Sequence, residues 1–174
     1  MNAITGLKAE VSLSSGSAPP PILHTLRRTG RKAVRFTGWQ VLQAQGCGED
    51  GTMWYDLAIY RSVADAVIAE LVARRQNFDE QDLSRVEVFA SLAEAASWLE
   101  TYPCAADVPI PPGLASCDRP MAHAVLQAVQ LRQRLSRITD EYQGLLSDVF
   151  EALDITDSPS ADSVPGHSQT EEAA

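Results

Sequence analysis

The residues able to do nucleophilic or metal chemistry are few and scattered. Three cysteines, Cys47, Cys104 and Cys117, and three histidines, His24, His123 and His167, are spread over 174 residues. Cys104, Cys117 and His123 make a Cys-x12-Cys-x5-His array, which lacks the close cysteine pair and the further ligand that complete a tetrahedral zinc site. A thiolate nucleophile needs a neighbouring base, and the histidines fall in a leader, at a helix start and in a tail. Cys47 stands in the glycine loop 46–51, but that loop does not suit a phosphate cradle. It has no Gly-Lys-Ser/Thr ending, it leads into a strand, and Glu49 and Asp50 would repel phosphate. No carboxylate pair stands apart from the solvated acids of the second half, so acid/base work of the glycosidase kind has no support. The expectation is a protein that is not an enzyme, with no catalytic residue, no cofactor and no metal. A small enzyme with an unrecognised site would have to draw on Cys47, Cys104, Cys117 and His123.

Charge narrows the partners. With 14 basic against 23 acidic residues the chain carries a net -9, which disfavours a protein built mainly to hold nucleic-acid phosphates. The balance is uneven. In residues 1–35, Lys8, Arg27, Arg28, Arg31, Lys32 and Arg35 face Glu10 alone, whereas from Asp140 onward there are nine acids and no Lys or Arg. Arg27, Arg28, Arg31, Lys32 and Arg35 form one basic cluster. It could contact phosphates or an acidic partner, or it could be a solvated lead-in to the first strand. The cysteines are too few for a disulfide scaffold and read as reduced thiols in a cytoplasm. The most apolar stretch, residues 63–73, is broken by Asp65 and Glu70 and falls short of the ~20 apolar residues of a membrane span. No membrane partner is expected.

The elements follow from local pattern. Residues 1–30, with four serines and the run Pro19-Pro20-Pro21, read as a flexible leader. Residues 22–28 could add a helical turn or two. Val34, Phe36, Val41 and Leu42 suggest a strand bent or bulged at Gly38. The glycine loop then makes a hairpin with a strand over residues 53–61, where Tyr55, Leu57 and Ile59 alternate with Trp54, Asp56, Ala58 and Tyr60. Phe36, Trp39, Trp54, Tyr55 and Tyr60 concentrate aromatic rings in this hairpin, chiefly for core packing. Residues 63–75 fit a helical stripe, which propensity favours, and also a third antiparallel strand. Val86, Val88 and Phe89 make a short strand. Ser91 and Glu94 form a capping box opening a helix that Pro103 stops.

Residues 104–120 are rich in proline and read as a linker. Beyond it, Met121, Ala128, Leu135, Tyr142 and Val149 recur every seventh residue, with Ala124, Leu131, Ile138, Leu145 and Ala152 as companions. This spacing predicts a helix over residues 121–155, roughly 30 residues and ~45 Å long, followed by a disordered acidic tail over 156–174. Such a helix must pack on something: either on its own sheet or, because it overhangs a small sheet, with its seam at Leu131, Leu135, Ile138, Tyr142, Leu145 and Val149 against a second copy or a partner protein, the second being the expectation. Residues 31–103 form the core domain. The expected class is α+β: a small antiparallel β-meander of three to four strands with a packed helix, then the long C-terminal helix.

The string Glu151-Ala152-Leu153-Asp154-Ile155 resembles the signature of the EXLDI family of small bacterial proteins. The order of Phe36-Thr37-Gly38, of Trp54-Tyr55-Asp56-Leu57 through Tyr60-Arg61-Ser62, and of Val86-Glu87-Val88-Phe89 before a helix is similar too. The resemblance covers roughly residues 33–155. It implies a β-meander, with residues 67–72 as strand, and a bacterial setting such as a plasmid or other mobile element. Two departures stand out: the proline-rich leader replaces a segment like a ribbon-helix-helix DNA-binding unit, and the turn before the third strand lacks the usual glycine. DNA binding is therefore not carried over. The functional expectation is a cytoplasmic accessory or regulatory protein acting by protein-protein interaction and self-association, with a possible homodimer. The alternative is a nucleic-acid-binding regulator using the basic cluster.

Overall fold

The structure, a computed structural model, describes residues 19–46, 48, 53–76, 81–111, 114 and 120–155. Most of the leader, Cys47, Cys117, His167 and the acidic tail lie outside the described residues. The elements are β1 (Ile22–Arg28), β2 (Arg31–Gln45), β3 (Met53–Ser62), β4 (Val67–Arg75), β5 (Leu83–Phe89), α1 (Leu92–Glu100), a 3-10 turn (Cys104–Asp107) and α2 (Met121–Ala152). The strands form one antiparallel sheet in the order β1-β2-β3-β4-β5. The class is α+β as expected, but the meander has five strands where three to four were expected. Ile22–Arg28 is the additional strand. Its seven residues are too few for a stable helix, while pairing with β2 satisfies their backbone and buries Leu26.

Residues 67–75 are strand, not helix, because β4 is flanked on both edges by ladders to β3 and β5, and tertiary pairing overrides a marginal helical stripe. The turn into β4 works without glycine. Asp65 takes φ 68 there, a backbone region that Asp tolerates better than most residues, and its carboxylate pairs with Arg61.

On one face of the sheet, Tyr55, Leu57, Ile59, Ala69, Leu71 and Ala73 pack with Leu42 and Ala44 beneath α1 and the second half of α2. Leu57, Leu71, Leu99 and Val149 are almost wholly buried, each worth about 1.5–3 kcal/mol relative to exposure. The first residues of the expected linker belong to this core, since Cys104, Asp107 and Val108 are buried. The Ser91 half of the capping box forms, its Oγ accepting from the Glu94 N–H, while the Glu94 carboxylate accepts from the N–H of Ala90, one residue before the cap. The string at residues 151–155 is the stop of α2. The Asp154 N–H donates to the Glu151 carbonyl and the Ile155 N–H to the Phe150 carbonyl, with Asp154 at φ 53, which is a Schellman termination. Among the described residues no helix is long and apolar enough to cross a membrane.

The first half of β2 runs beyond β3, whose last partner is Gly38 opposite Ser62. This β1–β2 arm curls over the sheet's second face, where Leu26, Val34 and Phe36 meet Tyr60, Ile68 and Val86. Its turn, with Gly30 at φ +73, is tied to β5 by the Thr29 N–H donating to the Ser84 carbonyl and the Ser84 N–H donating to Thr29 Oγ1. The register slips between Gln40 and Leu42, three residues after the expected bend at Gly38. That bulge exchanges the faces, so Phe36 points into the curl while Leu42 and Ala44 point at the helices. Gly38 serves close approach, because a Cβ there would collide with the Arg61 carbonyl oxygen and the Ser62 Cα. Gly38→Ala is expected to cost about 1–3 kcal/mol in urea unfolding. Gly144→Ala, in open space within α2, should instead gain about 0.5–1 kcal/mol.

Candidate functional site

Three features could carry function, and the first is α2 itself. Its second half belongs to the core: Ile138, Tyr142, Leu145 and Val149 are 3% exposed or less, and the Tyr142 hydroxyl donates to the Leu99 carbonyl at 2.8 Å. These four expected interface residues are therefore spent within the chain. They fill the apolar face of β3 and β2, together with Leu99 of α1 and with Cys104 and Val108 at the two ends of the 3-10 turn. Leu131 and Leu135 are half-buried at the edge of the same core. Upstream the helix loses its cover, and Met121 is 83%, Val125 56%, Leu126 54% and Val129 49% exposed. With about 3.6 residues per turn, Leu131 and Leu135 continue the core stripe while Val125, Leu126 and Val129 fall on the opposite side. Residues 121–131 contain no Asp, Glu, Lys or Arg. A helix apolar on both sides is one that is normally covered.

The second feature is the basic cluster, which the arm gathers around its turn. Arg28 Nη2 and Arg31 Nη1 each donate to one oxygen of Glu87, at 3.1 and 2.9 Å. Arg35, opposite Thr25 in the ladder, is within 3.4 Å of Thr25 Oγ1. Arg27, Lys32 and Arg35 are exposed and form no ion pair among the described residues.

The third is the interior of the curl, where a cavity of about 570 Å³ is lined in part by Leu26, Arg28, Glu70, Arg74, Asp82 and Ser84. Burial pushes the Glu70 carboxyl up, and the Asp56 charge adds to this. Opposing them are a hydrogen bond from the Tyr60 hydroxyl at 3.2 Å and the positive charges of Arg74 and His24. Burial and Glu70 push the Tyr60 hydroxyl up to about 12. Arg74 donates to Asp56 and Asp82 at 2.6 and 2.8 Å, which holds its guanidinium protonated. Burial works against ionisation of Asp82, but Arg74 and the Arg75 N–H outweigh it and hold the carboxyl low. His24 stacks on Phe36 and tilts against Tyr60. The hydroxyls at the rim are engaged, Ser84 Oγ donating to the Arg27 carbonyl and Thr29 Oγ1 accepting from Ser84. The arrangement offers a carboxylate whose near neighbour is the Tyr60 hydroxyl, with no cysteine and no serine or threonine hydroxyl hydrogen-bonded to it among the described residues.

Among the described residues, the sulfur and imidazole candidates Cys104 and His123 are not brought together, Cys104 facing Thr139 and His123 standing sixteen residues earlier on α2. Cys104 is buried with its Sγ 3.9 Å from Thr139 Oγ1, and His123 lies exposed in the first turn of α2. Among the described residues no group of three or more His, Cys, Asp or Glu could hold a metal.

Sequence reasoning misses two buried polar centres. One is the Tyr60–Glu70 pair, whose signal is a single acid inside the apolar run of β4. The other is Asp107, which accepts from the Tyr55 hydroxyl at 3.0 Å, from the Tyr102 hydroxyl, and from Arg85 Nη2 at 2.6 Å. An acid in a proline-rich stretch gives no comparable signal. Comparison with protein-family models, with curated proteins and with solved structures finds no match, so a functional reading rests on these three features.

Proposed function

We propose that the protein is a non-enzymatic accessory or regulatory protein that self-associates through the uncovered first half of α2, the occupant being the same segment of a second copy. The observation that carries this reading is the eleven-residue uncharged stretch from Met121 to Leu131, with exposed side chains at Met121, Val125, Leu126 and Val129. A two-fold pairing of one patch with itself is the commonest way to cover such a face. The stretch suits it, because two uncharged segments meet without like-charge repulsion. An antiparallel crossing near Leu126 also keeps Arg132, Arg134 and Arg137 of the two copies at opposite ends.

Light scattering and sedimentation of the full chain test the reading. The expected mass is that of a dimer, falling to a monomer when Leu126→Glu and Val129→Glu are combined. Both side chains are half exposed, so circular dichroism should stay unchanged. A wild-type chain that remains monomeric at high micromolar concentration would overturn the reading.

A further inference from the structure

We infer that the turn of the β1–β2 arm and the start of β5 together form a site for the phosphodiester backbone of a nucleic-acid duplex. Arg28, Thr29, Arg31, Ser84, Arg85 and Glu87 line a recess of about 340 Å³ there. Two guanidinium groups share the single Glu87 carboxylate. Each guanidinium has five N–H donors, and Glu87 takes only one from each. Arg85 spends its Nη2 on the buried Asp107. Arg27, Lys32 and Arg35 continue the positive surface along the arm. Five cations, Arg27, Arg28, Arg31, Lys32 and Arg35, thus stand around the half-buried Glu87 in a chain of net charge -9, while Asp82 and Glu70 on the inner side of the arm are engaged by Arg74 and Tyr60. At ionic strengths near 0.15 M the acids of the other half are screened beyond about 8 Å, so the local charge decides what binds.

The layout favours a polymer over a lone phosphate. Arg31 and Arg35 are four strand residues apart, about 13 Å, while the phosphates of one strand of a duplex rise about 3.4 Å each. Arginine forks match phosphate oxygens in pairs. No exposed aromatic ring stands beside Arg27, Arg28, Arg31, Lys32 or Arg35 among the described residues: Trp39 donates its indole N–H to the Pro19 carbonyl, Phe36 lies inside the curl, and the Tyr102 ring under Arg85 is packed against Trp98 and Tyr142. The surface therefore offers backbone contact without base stacking, which suits a duplex held with little sequence preference. The exposed Ile22 and Leu23 lie at the end of β1 away from the turn, with Leu23 two residues along the ladder from the Thr25–Arg35 pair, so anionic vesicles are the control against which duplex binding is read.

The test is fluorescence anisotropy of a labelled duplex of arbitrary sequence with the full chain over a salt series. The logarithm of the binding constant should fall linearly with the logarithm of salt concentration, at about -0.9 per phosphate neutralised. Arg27→Gln combined with Arg35→Gln should lower that slope by about two and weaken binding at least tenfold at low salt. Glu87→Gln, which removes the competing carboxylate, should tighten binding. A merely structural role for Glu87 would not tighten it. No binding, salt-independent binding, or binding to anionic vesicles without binding to duplex would each overturn the inference, as would an unchanged slope in the double variant.

Discussion

Raising the pH is expected to unfold the protein before its tyrosines ionise as free phenols do. The chain has four, Tyr55, Tyr60, Tyr102 and Tyr142, and in the folded state every one is held above the ordinary value of 10. Burial is the first cause in each case. Asp107 adds to it for Tyr55 and Tyr102, Glu70 for Tyr60, and the charges of Cys104 and Asp107 for Tyr142. Tyr60 reaches about 12 and the other three lie higher still. The sign follows from proton counting: above pH 10 the folded chain keeps protons that the unfolded chain has released, so stability falls as pH rises. Each tyrosine contributes up to about 1.4 kcal/mol per pH unit, and four together about 5 kcal/mol. A typical stability of about 5–15 kcal/mol would then be exhausted within about one to three pH units above 10. Phenolate absorbance and circular dichroism followed in one titration should change together, in a single steep step involving all four rings. A phenolate signal rising near pH 10 while the helical and sheet signals stay intact would contradict the buried hydrogen-bonded tyrosines described above.

Those tyrosines also mark where sequence reading succeeds and stops. Tyr55 is legible as an inward residue because β3 alternates with period two and is preceded by a glycine loop that demands a return. The capping box of α1 and the heptad seam of α2 are legible for the same reason, each being a local pattern with a local cause. What the pattern cannot say is which part of a seam finds cover at home. Leu145 and Leu131 occupy equivalent positions in the repeat, yet the first is buried under the sheet and the second sits at its edge, a difference set by where the strands end. The bulge between Gln40 and Leu42 is similarly hidden. Phe36 and Leu42 share one parity in sequence and lie on opposite faces in the fold, because one extra residue between them reverses the alternation. β1 is hidden as well, since a seven-residue strand has no signature apart from the partner it pairs with. Asp107 is the extreme case, a charge whose three partners come from β3, β5 and the end of α1.

Asp107→Ala is expected to be among the most damaging single substitutions in the chain, at about 2–4 kcal/mol. The carboxylate is 2% exposed and bound to Arg85, and removing one partner of such a pair leaves the others without compensation. The three donors do not suffer equally. The Tyr55 hydroxyl can still use the Cys104 carbonyl at 2.9 Å, and Arg85 is exposed enough to recover water. Tyr102 loses its acceptor within a packed cluster of rings, with Trp98 and Tyr142 against it, so its hydroxyl bears much of the cost. Tyr102→Phe removes that hydroxyl while leaving Asp107 two partners, and should cost only about 1 kcal/mol. In the Asp107→Ala background, Tyr102→Phe should cost almost nothing, because the hydroxyl it deletes is already unsatisfied. Urea unfolding of the two single variants and the double variant measures this cycle. The 3-10 turn sets Cys104 against Thr139 of α2, so the loss should also appear as faster amide exchange in the buried half of that helix. A Tyr102→Phe variant as unstable as Asp107→Ala, or two costs that simply add, would mean that the carboxylate is not what holds this turn to the core.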